Sequence, residues 1–230
     1  MKEVYIMLQE MRATLKHITI IVLLCFLLLP WPISSASVYE ETDSAINYTM
    51  SYPMVYLDHN QEAQDRINSD IYNYIGAFKT DYNDGKFING FFKYEVKYED
   101  DDVLFLMIID YRYYGGAHGL EKGIGLNYSK KTGQRLPLPY FVRLRPDDAS
   151  KVFSLPIYNG NNKQLFYSTT KDFVKYTRKR KGITDNFYLM GNGAIALIYQ
   201  PYELSCYADG ITHIVISAKY VDYFNRRNHE

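Results

Sequence analysis

Large apolar side chains recur along this chain at spacings that change from two to three-and-four and back, and each change marks an element. From Ala45 to Leu57 they fall at every second position, Tyr48, Met50, Tyr52, Met54 and Tyr56, which predicts a strand with one aromatic and thioether face. Pro53 has no amide hydrogen to give, so that strand is expected at a sheet edge or a bulge. From Asn60 the spacing lengthens. Ala63, Ile67, Ile71, Tyr74, Ile75 and Phe78 share one face of a helix expected over about Asn60 to Lys79, with a capping box offered by Asp58-His-Asn-Gln61. The other face, Glu62, Gln64, Asp65, Asn68 and Asp70, is expected to meet water.

Asn83-Asp-Gly85 closes the helix and two strands follow, Phe91 to Glu99 and Val103 to Tyr113, joined by Asp100-Asp-Asp102. Those carboxylates are adjacent rather than alternate, as a calcium loop would need, so the turn reads as a solvated hairpin tip. Beyond a glycine-rich corner come a strand from Gly123 to Tyr128, a tight turn Ser129 to Gly133 and an extended segment Gln134 to Leu138. Prolines at 137, 139, 146 and 156 and the loop Asn159-Gly-Asn-Asn162 then interrupt the pattern. A helix is expected from about Thr169 to Lys179, its basic end Thr177 to Lys181 solvated. Regularity returns with strands Asn186 to Met190 and Ala194 to Tyr199 around Gly191-Asn-Gly193, a loop Gln200 to Gly210, a strand Ile211 to Ser217 and a short helix near Ala218 to Phe224. The expected class is α+β: a helix packed on an antiparallel sheet over residues 37–138, followed by a second α+β half over 139–230.

Before these elements Lys2, Arg12 and Lys16 precede the apolar run Ile18 to Leu29, and Pro30, Pro32 and the small residues Ser34 and Ala36 follow it. This is the layout of a secretory signal peptide over 1–36, with cleavage near Ser37 and either Met1 or Met11 as the start. The run is shorter than the roughly 20 residues of a stable span, so it would anchor the chain only if left uncleaved. The expected localisation is secreted, or periplasmic or in the cell envelope. Without the leader only Cys206 remains, which excludes an intramolecular disulfide and is expected to be semi-buried. The formal net charge of the 230 residues is zero, so no overall field favours nucleic acid or an anionic membrane. The 24 tyrosines suit half-buried strands and binding surfaces alike.

Two stretches are candidates for binding. Tyr111-Arg-Tyr-Tyr-Gly-Gly-Ala-His-Gly-Leu120 stops a strand abruptly, because Gly115, Gly116 and Gly119 permit backbone angles closed to other residues, and presents Tyr113, Tyr114 and His118 on the turn. The loop Gln200 to Gly210 adds Tyr202, Glu203 and Tyr207, with Gly210 as its structural turn. His59, His118, His213 and His229 have no metal-ligand spacing and no serine elbow accompanies them, so neither metal nor cofactor is expected. His118 is expected to be a corner residue bonded to backbone. Catalysis through it is the alternative, and a non-enzymatic module is the expected class.

Tyr114-Gly-Gly-Ala-His-Gly119, the turn Asn127-Tyr-Ser-Lys-Lys-Thr-Gly133, and Tyr199-Gln-Pro-Tyr-Glu-Leu-Ser-Cys-Tyr-Ala-Asp-Gly210 together resemble the exported bacterial domain pair DUF4163/DUF3298 over roughly residues 44 to 220. That pair forms the extracellular part of RsiV-type lysozyme-sensing anti-sigma factors, and its first half precedes some peptidoglycan deacetylases of the PdaC type. Cys206 stands where the family usually has proline, and Arg143 to Lys179 departs from its pattern. The resemblance implies an exported binding module whose partner is a lysozyme-like protein or peptidoglycan, with a peptidoglycan-acting hydrolase or deacetylase, or its accessory domain using His118, as the alternative. Few residues precede the apolar run, so no sigma-factor-binding part is expected. The Asp-Asp and His-x-x-x-His arrangement of the related catalytic domains does not occur here.

Overall fold

The computed structural model describes residues 36–165 and 182–229. Residues 1–35 of the expected leader, the helix near Thr169 to Lys179 and the basic cluster Thr177 to Lys181 lie outside them. The chain opens with a hairpin of β1 (Ala36–Ala45) and β2 (Tyr48–Leu57), paired without interruption from Ala36 opposite Leu57 to Ala45 opposite Tyr48. The strand expected from Ala45 therefore begins after a turn at Ile46-Asn47, and its partner β1 was not expected because that strand is mostly polar and exposed. Helix α1 (Gln61–Asn83) follows, with the Asn60 side chain accepting from the Ala63 amide at 3.2 Å. The same side chain donates to the carbonyls of Lys130 and Lys131 at 3.0 Å, which ties the helix start to the Ser129 to Gly133 turn. Ala63, Ile67, Ile71, Ile75 and Phe78 are buried as their spacing requires.

Strands β3 (Asn89–Glu99), β4 (Val103–Tyr113) and β5 (Leu120–Ser129) complete a five-stranded sheet in the order β1-β2-β3-β4-β5. The sheet is mixed, not antiparallel: β2 and β3 run parallel over Tyr48 to Met50, because α1 carries the chain back to the same end before β3 starts. Past Met50, β2 has β1 on one side only, which is where Pro53 sits, buried and inside the sheet order rather than on its outer strand. The helix takes over as its partner. Asn68 accepts from the Val55 amide at 2.9 Å and donates to the Val55 carbonyl at 2.8 Å, and Gln64 accepts from the Leu57 amide at 3.0 Å. Asn68 is thus buried on the sheet, a correction to its expected place on the wet face; Asp70 likewise accepts from the buried Tyr128 hydroxyl at 2.8 Å.

The second sheet has β6 (Ile157–Tyr158), β7 (Phe187–Gly191), β8 (Ala194–Tyr199) and β9 (Thr212–Ile216) in the antiparallel order β6-β9-β8-β7. A short helix α2 (Ala149–Val152) precedes it and α3 (Ala218–Arg227) closes the chain. Gln134 to Leu138 forms no strand; Arg135 alone makes a bridge, to Tyr128. Among the described residues no helix is long and apolar enough to cross a membrane.

Strand β4 joins the two sheets into one architecture. Leu104, Leu106 and Ile108 pack with α1 and the first sheet, while Val103, Phe105 and Met107 pack with Phe187, Leu197, Ile214 and Phe224. A strand buried on both faces has no polar alternation, which accounts for the unbroken apolar run at Val103 to Ile109. Beside it, Asn186 Oδ1 accepts from the Gly125 amide at 2.8 Å and Asn127 donates to the Phe187 carbonyl at 2.9 Å. Gly125 must be glycine, since a Cβ there would lie 2.1 Å from the Phe187 carbonyl oxygen.

Candidate functional site

The corner between β4 and β5 is made by glycines with different tasks. Gly115 and Gly116 have φ of +92° and +113°, the left-handed range that other residues reach only with strain. Gly119 does not share that conformation, contrary to expectation. It is needed for close approach: a Cβ there would lie 2.5 Å from the Tyr111 ring and 2.7 Å from the Arg112 carbonyl oxygen. Tyr113 turns back on its own loop, its hydroxyl donating to the Gly116 carbonyl at 2.9 Å.

The loop between β8 and β9 is pinned against β5 by Gln200, whose side chain accepts from the Gly123 amide and donates to the Gly123 carbonyl, both at 2.8 Å. Glu203 accepts from the Gln200 amide at 2.7 Å and so closes the turn that carries Tyr202. Tyr202 has φ of +69°, a strained conformation for a tyrosine, and its side chain is 58% exposed. A 3-10 turn over Tyr207–Asp209 ends at Gly210, φ +65°. Cys206 is exposed, not semi-buried, with Sγ 3.5 Å from Asp209.

These two loops meet. The Tyr202 hydroxyl is 2.9 Å from His118 Nε2, and His118 Nδ1 is 2.9 Å from the Gly119 carbonyl oxygen. A carbonyl only accepts, so Nδ1 carries the proton and the Nε2 lone pair accepts from Tyr202. The imidazole stacks on Tyr207 with centroids 3.7 Å apart and 20° between planes, and Tyr202 lies 5.7 Å from Tyr207. Partial burial, then the neighbouring Tyr111 and Glu121, raise the Tyr207 pKa and keep its hydroxyl a donor. Three of the six expected binding residues, His118, Tyr202 and Tyr207, thus form one aromatic cluster from distant parts of the chain. Glu203 supports the loop beneath it.

Tyr114, 50% exposed, instead lines an adjoining cleft of about 510 Å³ with Arg112, Glu121, Lys122, Gln200 and Pro201. Arg112 is held there by Asp110 at 2.8 Å and Asp81 at 2.5 Å. Burial opposes its charge, but those two carboxylates more than offset the cost and its pKa is raised. Arg112, Glu121 and Gln200 were not among the expected site residues. Each sits on a strand or strand end where a polar residue looks ordinary, and only the pairing of β5 with the second loop reveals it. Among the described residues no three His, Cys, Asp or Glu side chains converge as metal ligands.

Residues 39–121 match the family model described as Deacetylase PdaC, and residues 149–219 match the model of a protein family of unknown function, DUF3298. No curated protein matches. A member of the DUF3298 family from Bacteroides fragilis is similar in structure, with TM-score 0.57 and 16% identity, covering 83% of this chain and 93% of that one. A DUF3298 family protein from Pseudomonas aeruginosa gives TM-score 0.56 and 12% identity, covering 82% and 93%. At such identities the likeness shows the shared fold. The expected non-enzymatic class is corrected by the first of these matches, since the family that fits residues 39–121 is named for a deacetylase. The second half of the chain, over residues 149–219, carries a DUF3298-family domain, and residues 39–121 before it match the PdaC family.

Proposed function

We propose that this is an exported cell-envelope protein that binds wall glycan at the His118, Tyr202 and Tyr207 corner and takes part in removing its N-acetyl groups, itself or as the accessory domain of a deacetylase. The observation that carries the reading is the His118 to Tyr202 hydrogen bond, formed across two loops on an exposed aromatic surface. Tyrosine faces suit the C–H surface of a sugar ring while their hydroxyls bond its polar groups. The match of residues 39–121 to a family named for a deacetylase supports the reaction class. The sequence layout of the leader supports export.

The chemistry follows from the tautomer. With Nδ1–H held by the Gly119 carbonyl, Nε2 is the basic atom, and a bound amide that displaces the Tyr202 hydroxyl leaves it facing solvent. Nε2 then takes a proton from a water that adds to the acetyl carbonyl carbon, and the freed Tyr202 hydroxyl donates to the developing oxyanion. The C–N bond breaks, the nitrogen takes the proton back from Nε2, and acetate and a free amine result.

The test is acetate release from peptidoglycan and from N-acetylglucosamine oligomers. Wild type should release acetate, and His118→Ala should lower the rate by about 10² or more, the usual worth of a general base. Binding without release supports the accessory role. Absence of both binding and release overturns the proposal. The exposed rings of Tyr114 and Tyr202 also suit a protein partner, and titration with lysozyme forms the second arm.

A further inference from the structure

A second cleft, of about 320 Å³, opens between the two sheets and reaches the turn after Tyr207 at Ala208 to Gly210. Its floor includes His213 of β9, only 6% exposed. The imidazole stacks with Tyr158 at 5.7 Å and lies 6.0 Å from Tyr188, yet among the described residues it makes no hydrogen bond. A buried imidazole that lines a cavity with its nitrogens unused is a polar group awaiting a partner. Across the cleft Lys97 is neutralised by Glu95 and lies over the Tyr188 ring. Glu121 has no such ion-pair partner among the described residues; it accepts from the Ile211 amide, and burial raises its pKa. Asn161 and Asn162 also line it, with amides able both to donate and to accept.

We propose that this cleft binds a single amino sugar, its ammonium paired with the Glu121 carboxylate, one donor group bonded to His213 and its hydroxyls bonded to the asparagine amides. The volume lies at the low end for ligand sites, enough for one ring and not for a chain. Glu95, Glu121 and Asp209 line the cleft against the one ammonium of Lys97, a balance that favours a cationic donor over an anion. The amides of Asn161 and Asn162, which both donate and accept, fit a ligand with many hydroxyls better than a simple alkylamine. The site shares no residue with the His118, Tyr202 and Tyr207 cluster, so either proposal can fail alone.

The experiment is calorimetric titration of the full chain with glucosamine, N-acetylglucosamine and glucose, with melting followed in parallel. Glucosamine should bind at least tenfold more tightly than the other two. Glu121→Gln and His213→Leu should each weaken it tenfold or more. Glu121 is only half-buried, so its variant decides the matter should His213→Leu fail to fold. Equal affinity for glucosamine and glucose, no glucosamine binding, or an unchanged Glu121→Gln affinity would each overturn the assignment.

Discussion

At the scale of single residues, the glycines of the corner separate two causes that a sequence writes with the same letter. Gly116 has open space where a Cβ would go and a φ of +113°, so its requirement is conformational; a Cβ on Gly119 would lie 2.5 Å from the Tyr111 ring, so its requirement is steric. Gly116→Val should therefore cost about 1 to 3 kcal/mol of backbone strain without disturbing Tyr111, and His118→Ala should cost less. Denaturant midpoints of the two variants check this; equal small losses would show an unstrained turn. His213 makes a second prediction. Burial, with the Lys97 charge, pushes its pKa from 6.5 down to about 4. The unfolded chain therefore takes up a proton on acidification before the folded chain does. Its stabilising effect is complete above pH 6.5 and is lost as pH falls to about 4, on the order of 3 kcal/mol at about 1.4 kcal/mol per pKa unit. Urea midpoints across that window should fall less steeply for His213→Phe than for wild type; parallel slopes would rule the histidine out as the source. Neither this burial nor the left-handed Tyr202 was legible in the sequence, because both depend on what other segments pack against those residues.

At the scale of elements, legibility followed periodicity. The α1 face, the β3 to β4 hairpin and the β7 to β8 hairpin were read because each repeats a local spacing next to a recognisable turn. The exposed, polar β1 left no apolar pattern to read, and the two-residue β6 left too little chain. The parallel pairing of β2 with β3 is fixed by where α1 delivers the chain, which no strand's own residues state. Asn68 shows the cost of reading polarity as exposure: on a helix wheel it belongs to the wet side, but it serves as the missing strand for Val55. Asn68→Ala leaves the Val55 amide and carbonyl buried without that partner and should cost about 1 to 3 kcal/mol. Amide exchange at Val55 should accelerate along with the loss of thermal stability. Stability lost with Val55 exchange unchanged would place the effect elsewhere.

At the scale of the whole molecule, the corner depends on the seam between the sheets. The Gly123 amide and carbonyl hold Gln200, and two residues along β5 the Gly125 amide holds Asn186, while the Gly125 carbonyl accepts from Arg135 at 2.7 Å. The same strand therefore positions the second binding loop and docks the second sheet. Expected domain halves at 37–138 and 139–230 do not convey this, since β4 contributes alternate side chains to both cores. Gly125→Ala would place a Cβ 2.1 Å from a backbone oxygen that cannot rotate away, so β5 and β7 must separate. Overpacking of this kind costs about 1 to 3 kcal/mol or more. Because the cores share β4, the loss should lower one cooperative transition instead of releasing one half early. Calorimetry of Gly125→Ala should show a single endotherm moved to lower temperature. Glycan binding at the corner should weaken with it even well below the melt, since displacing β5 moves Gly123 and with it the Gln200 anchor of the Tyr202 loop. Two separate endotherms, or a lowered melt with corner binding intact, would show that the halves unfold independently and that the site does not rest on the seam.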